Sequence, residues 1–429
     1  MSMPLPPITV QVLRGWRERI THVDLPTDDG ERIDEIREIE QLKCALEARQ
    51  ARLAAAFDAS QRAIAASRGL PEHLHGRGVA EQIALARRVS PRRGRQMLGL
   101  AKVLSAEMPN AKSAFDQGHI SEWRATILAR ETACLELADR RQIDRELASD
   151  PVRLSRMGDR ELAGRARARG AELDAASIAR RQAKAESERT VTIRPAPDAM
   201  VYLTALLPVA QGVAAYASLK RAADAAVAAG IATNRGQVMA DTLAARVLSG
   251  DAPTTGSPAV PVGINLTMSL ATLFQGANLP ARVEGFGPIP GGLARAMVAD
   301  AVDARTKIWI RRLFTAPEDG RLIAMESGKR FFPRQLAEFI RLRDQWCRTP
   351  WCNAPIRHID HAEPVQLGGR TSVDNGQGLC EQCNHAKQAT AWRVRPVSES
   401  GQPHQVEITT PAGRAYRSSA PPTGPPEVA

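Results

Sequence analysis

The sequence predicts an α+β protein, with a mostly α-helical N-terminal domain carrying a few strands, followed by a small zinc-braced domain. Three observations carry that reading. Apolar residues recur at helical spacing through much of the front. Short alternations of period two enter only from about residue 190. Four of the six cysteines and three of the eight histidines fall within residues 347–387.

A chain of 429 residues is long enough for two or three domains, each able to bury its own core. Fifty-eight Lys and Arg against forty-seven Asp and Glu leave a formal charge of +11, a balance that favours polyanionic partners. So few cysteines exclude a disulfide scaffold, and their clustering favours metal ligation. The longest apolar stretch, "AMVYLTALLPVAQGVAAYA", is cut by Pro208 and Gln211 and falls short of a membrane span. The opening "MSMPLPPITV" lacks a signal layout, so a cytoplasmic location and no membrane partner are expected. No phosphate-cradling glycine loop appears, so no nucleotide cofactor is expected.

Residues 1–32, rich in Pro and polar residues, read as a poorly ordered lead-in, and residues 33–253 as a helical domain. In "IDEIREIEQLKCALEARQARLAAAF", Ile39, Leu42, Leu46, Leu53 and Phe57 form the stripe of a long amphipathic helix, suited to core packing or to homo-oligomer formation. Cys44, beside that stripe, and Cys134, in the helical "ATILARETACLELADR", read as small buried apolar residues. In "GVAEQIALARRVSPRRGRQMLGLAKVL" a helix runs to about Arg88, Ser90 can cap a second and Pro91 suits its first turn. That is a helix-turn-helix outline. It would place Arg92, Arg93 and Arg95 where such motifs meet DNA, although a bundle pair with a solvated arginine face would read the same way. Further helices are predicted in "SEWRATILARETACLELADRRQIDREL" and in "RGQVMADTLAARVLSG", the latter ended by Gly250 and the linker "DAPTTGSP".

Residues 258–335 read as a mixed α/β connecting region. Val191 and Ile193 in "RTVTIRP", and Val260, Val262, Ile264, Leu266 and Met268 in "AVPVGINLTM", alternate as half-buried strands do. Two more strands are expected around the Asp319-Gly320 turn. Residues 419–429 are a low-complexity tail, read as disordered.

Cys347 and Cys352 are separated by four residues and Cys380 and Cys383 by two, with about thirty residues between the pairs. This spacing fits a closed tetrahedral zinc site, structural because four sulfurs leave no open position. Between the pairs, "RHIDHAEPVQLGG" offers a hard carboxylate at Asp360 and, at His361, an imidazole able to take a proton near neutral pH. Gly368 and Gly369 allow a sharp reversal, Asn375 follows in a loop, and "LCEQCNHAKQ" reads as a helix start.

The order of a cysteine pair, "IDH", Pro364, "GG", Asn375 and "CEQCNHAK" closely resembles the HNH endonuclease domain with its ββα-metal fold. The resemblance implies that Asp360 binds a catalytic metal, that His361 is the general base and that Asn375 holds the loop and orients the base. It places the last metal ligand at Asn384, where many members carry His, with the neighbouring His385 as the alternative ligand. His358, two residues before Asp360, is assigned a surface or phosphate-facing role.

More widely, "RLRDQWCRTPWC", "GGRTSVDNGQGLC", "SPRRGRQMLGLAKVL", "FDQGHISEWRATIL" and "NRGQVMADTLAARVL" are similar to landmarks of an actinobacterial family. In that family a helical domain of unknown function precedes the HNH part. "AWRVRPV" and "QVEITTPAGRAYRS" resemble its closing strand pair, so residues 336–400 are assigned to the nuclease domain and 401–418 to the closing strands.

The implied activity is hydrolysis of DNA phosphodiester bonds with one catalytic Mg²⁺ or Mn²⁺ beside the structural Zn²⁺. Lys387, Arg357 and Arg370 are candidate phosphate anchors. The rival expectation is a zinc-stabilised DNA-binding module without nuclease activity.

Overall fold

The computed structural model describes residues 8–248, 264–284, 286–303, 332–398 and 402–422. The linker at 251–258, Val260, Val262 and the strand pair expected around Asp319 lie outside the described residues.

Helices dominate the front in the order α1 (Val10–His22), α2 (Asp29–Ser67), α3 (Val79–Arg87), α4 (Pro91–Ala106), α5 (Pro109–Asp116), α6 (Glu122–Glu131), α7 (Leu137–Ala148), α8 (Pro151–Arg156), α9 (Asp159–Leu173) and α10 (Ala175–Ser187). Residues 10–22, read from the sequence as unordered, thus form a helix, capped where the Thr9 hydroxyl accepts from the Val12 N–H. The long apolar stretch is split between strand and helix, and no helix among the described residues is long and apolar enough to cross a membrane.

The chain divides into two compact units, residues 1–60 with 97–178 and residues 61–96 with 179–429. The first is built around Leu100, Leu104, Phe115, Leu128 and Leu162, drawn from α4, α5, α6 and α9, with Met108 at the start of α5. The buried Asp144 of α7 caps α5, accepting from the N–H groups of Asn110 and Ala111, each at 2.8 Å, which satisfies donors that a helix start leaves free.

Two expectations, the α2 stripe as core packing and Cys134 within a helix, are corrected by the structure. On α2 the buried face is Cys44, Ala48, Ala54 and Asp58, while Ile39, Leu42 and Leu53 of the predicted stripe are exposed. Leu46 and Phe57 are half-buried, and from this helix Ala48 enters the core cluster with Ala51 packed against it. Cys134 sits in the turn between α6 and α7, not within a helix.

The second unit continues with β1 (Thr190–Pro195), β2 (Val201–Leu206), α11 (Val209–Ala228), α12 (Arg235–Leu248), β3 (Leu266–Thr267), α13 (Leu270–Phe274), β4 (Ala281–Val283), β5 (Gly287–Ile289) and α14 (Gly291–Asp303). Strands β1 and β2 pair antiparallel, yet Val191 and Ile193 are exposed and not half-buried. The meander β3-β4-β5 packs with α14 around Ala281, Ile289 and Ala294.

The rear comprises α15 (Arg334–Asp344), β6 (His358–His361), β7 (Gly376–Leu379), α16 (Glu381–Lys387), β8 (Arg393–Pro396), β9 (Gln405–Thr409) and β10 (Ala415–Ser419). β6 and β7 form an antiparallel ribbon with Asp360 opposite Gln377 and His361 opposite Gly376. The closing strands form a three-stranded sheet in the order β10-β9-β8, one strand more than the expected pair. Their apolar face gathers Val394, Val406, Ile408 and Ala362.

Candidate active site and metal centres

The four cysteines converge. Their sulfurs lie within 4.8 Å of one another, Cys352 to Cys380 at 3.7 Å and Cys352 to Cys383 at 3.6 Å. Sulfurs each about 2.3 Å from a zinc ion at the centre of a tetrahedron stand about 3.8 Å apart, so the donor set fits. The knuckle before β6 presents one pair. The start of α16 presents the other, with the Cys380 sulfur capping the helix by accepting from the Cys383 N–H.

Contact among the thiols, led by Cys347 in each case, lowers the Cys380 pKa and raises those of Cys352 and Cys383. The cluster therefore cannot ionise evenly by itself, and a divalent cation at its centre would remove that conflict.

The ribbon holds Asp360 and His361 side by side. His361 Nε2 lies 2.8 Å from the Thr371 hydroxyl, and its ring packs 4.5 Å from that of Phe332. Burial lowers the His361 pKa; Asp360 opposes this and Lys387 adds to it, favouring the neutral imidazole.

Asn375, buried after the loop, fixes the segment that follows His361. Its Oδ1 accepts from the Glu363 N–H at 2.8 Å, and its Nδ2 donates to the carbonyls of Glu363 at 3.0 Å and Arg370 at 2.8 Å. Gly369 is required by this closeness: a Cβ there would lie 1.9 Å from the Glu363 carbonyl oxygen and 2.7 Å from Asn375 Nδ2.

On α16, Asn384 is half-buried one turn after Cys380, and its Oδ1 has no hydrogen-bond partner among the described residues. Both amide atoms of Gln377, which pairs with Asp360 across the ribbon, are likewise buried without a partner there. His385 is exposed and turns to another side. Lys387 shares a helix face with Asn384 three residues earlier and points inward, its Nζ 2.5 Å from Asp360 Oδ2. Burial lowers its pKa against the pull of Asp360. A hard divalent cation suits the carboxylate of Asp360 and the free amide oxygen of Asn384.

The basic residues fall into separate groups. Arg357 and Arg370 are exposed, as is His358. The helix pair α3–α4 forms as expected, the Ser90 hydroxyl accepting from the Arg93 N–H at 3.3 Å, and Arg92 is exposed. Arg95, however, is partnered: it donates twice to Glu81, at 2.7 and 2.9 Å, and the Gln382 amide, turned over, would accept from it as well. Together with Arg357, Gln382 and His385 it lines an open cleft of about 430 Å³.

Arg77 also donates to the His385 carbonyl at 3.1 Å, and the Ala412 N–H donates to Gln82 at 3.0 Å. Gly78, at φ 78°, lets Trp392 approach so closely that a Cβ would stand 2.6 Å from its Nε1. Arg77, Gly78 and Gln82 thus meet α16, Trp392 and the turn between β9 and β10.

Sequence reasoning passed over the residues that hold this framework. Arg343 donates to the carbonyls of Val373 and Gly376, each at 2.6 Å, and to Asp344, whose other oxygen accepts from the Gly378 N–H at 2.7 Å. Arg348 donates to the carbonyls of His404 and Ser418. Burial holds Arg348 down to about 10 and His404 down to about 3. The signal was present in "RLRDQWCR", where two arginines flank an aspartate, but charge on a helix usually marks a solvated face.

A family model described as "Domain of unknown function (DUF222)" matches residues 39–344, and one described as "HNH endonuclease" matches residues 347–390. No curated protein and no solved structure matches the chain.

Proposed function

The chain belongs to the DUF222 family and carries an HNH endonuclease domain, and we propose that it hydrolyses DNA phosphodiester bonds with one catalytic divalent cation and His361 as general base. The observation that supports this most is the pairing of Asp360 and His361 on a ribbon braced by the thiol cluster, facing the helix that carries the unpartnered amide oxygen of Asn384.

Each residue has a role in this reading. The neutral imidazole of His361 can donate its Nε2–H in a hydrogen bond to the Thr371 hydroxyl and keep that proton, leaving Nδ1 with the lone pair that removes a proton from water. Asn375 keeps the base in place through the Glu363–Arg370 loop. Asp360 and Asn384 hold the cation, Mg²⁺ or Mn²⁺, which when bound would neutralise charge on the phosphate and the leaving oxygen. Zinc belongs in the four-cysteine cluster. Arg357, Arg370 and Arg92 are exposed where they can meet phosphates, and DNA affinity should fall with salt.

The test is cleavage of supercoiled plasmid by zinc-loaded full-length protein with added Mg²⁺ or Mn²⁺. Cation-dependent nicking or cutting is expected, and His361→Ala should lose about 10²–10⁴-fold of the rate while keeping zinc and DNA affinity. Salt-sensitive DNA binding without cleavage under any divalent cation would leave the zinc-stabilised binding module as the function.

A further inference from the structure

Lys387, the last residue of α16, sits where a helix-terminal lysine seldom does. Such a side chain ordinarily carries its ammonium to water. Here the side chain is 11% exposed, and the ammonium lies 2.5 Å from Asp360 Oδ2 and against the His361 carbonyl oxygen. Both acceptors belong to β6, the strand that bears the proposed base and cation ligand. The partner carboxylate is itself only 29% exposed, so water screens the pair weakly.

A divalent cation on this carboxylate would stand beside a like charge in a poorly screened site, and both would claim the same oxygens. We propose that Lys387 is a built-in counter-ion that holds Asp360 in the metal-free protein, competes with the divalent cation for it, and swings out when that cation binds. Lys387 is then a positioning residue whose displacement is coupled to metal loading. By linkage, whatever draws the ammonium outward, a phosphate group included, also tightens the metal. This rests on Asp360 being the cation ligand, and the experiment separates the two claims.

Mn²⁺ is titrated into zinc-loaded full-length protein and free Mn²⁺ is followed by electron paramagnetic resonance, for wild type, Lys387→Met and Asp360→Ala. In parallel, acetylation of Lys387 by a water-soluble amine reagent is quantified by mass spectrometry in the wild type with and without Mn²⁺. Lys387→Met should bind Mn²⁺ about ten-fold more tightly or better. Asp360→Ala should lose most binding, and Mn²⁺ should raise the acetylation of Lys387 several-fold.

Unchanged Mn²⁺ affinity in Asp360→Ala would remove Asp360 as the ligand. Weakened binding there, with Lys387→Met no tighter than wild type and no rise in labelling, would overturn the counter-ion role while leaving Asp360 as ligand. Should Lys387→Met fail to fold, wild-type labelling decides alone, because a merely structural ion pair stays closed when metal is added.

Discussion

The two ends of the molecule hold themselves together by different physics. In the first unit Phe115, Met108, Ile120, Leu128, Ile143, Leu154 and Leu162 are wholly buried, and apolar area removed from water can account for the fold. In the rear, apolar clusters are small, such as Leu336 with Ile340 and Val373, and a glutamine, Gln377, is among the largest fully buried side chains. What replaces the missing apolar core is a thiol cluster and a buried charge network, with Arg343, Asp344 and Arg348 at 5%, 0% and 2% side-chain exposure. With apolar clusters this small, the buried ion pairs supply the rigidity, and a metal on the four sulfurs would add to it.

The largest effect should come from metal removal. Structural zinc contributes about 10–16 kcal/mol in small domains, so a strong chelator or Cys380→Ser should unfold the rear while most helical circular dichroism survives. Equal loss of both signals would erase the contrast.

Next, Asp344→Ala leaves the buried Arg343 without its carboxylate counter-charge and the Gly378 N–H without an acceptor, at a cost of about 3–5 kcal/mol. Leu128→Ala, in the first unit, should cost about 2–5 kcal/mol. Zinc content measured along a urea series tells them apart: the Asp344 variant should release zinc early, and the Leu128 variant should release it at the wild-type urea concentration.

The pH dependence sharpens the same comparison. His404 has its pKa lowered to about 3 by burial first and by Arg343 next, against 6.5 when unfolded. Between those values the unfolded chain binds a proton that the folded chain refuses, so rear stability should fall as pH drops below about 6.5. Since thiolate protonation acts in the same direction, the readout is the difference between wild type and His404→Gln, whose urea midpoint should depend less on acid.

The smallest change in stability should follow Asn384→Ala, which nevertheless should raise the Mg²⁺ concentration needed for cleavage. His385→Ala, altering an exposed ring, should shift that requirement little. A reversed pair of titrations would make His385 the ligand.

Much of this molecule is legible in one dimension because its causes are local. The helix pair at 79–106 follows from a cap residue and a proline at the right offset, and the cysteine pairs follow from spacing. The Asp-His ribbon and the start of α16 likewise follow from short-range order. Other features were settled by partners distant in sequence. Periodicity marks α2 as amphipathic but cannot say which side a neighbour approaches, and the small-residue face was buried.

Long cationic side chains are harder still, since several rotamers are open until something distant fixes one. Arg95, which the motif outline offered to DNA or to a solvated face, is paired with Glu81. Arg343 and Arg348 go inward to carbonyls that exist in that place only once β7 and the closing sheet have formed. Lys387, at the end of a seven-residue helix, could have faced solvent; the carboxylate of Asp360, 27 positions earlier, turned it inward.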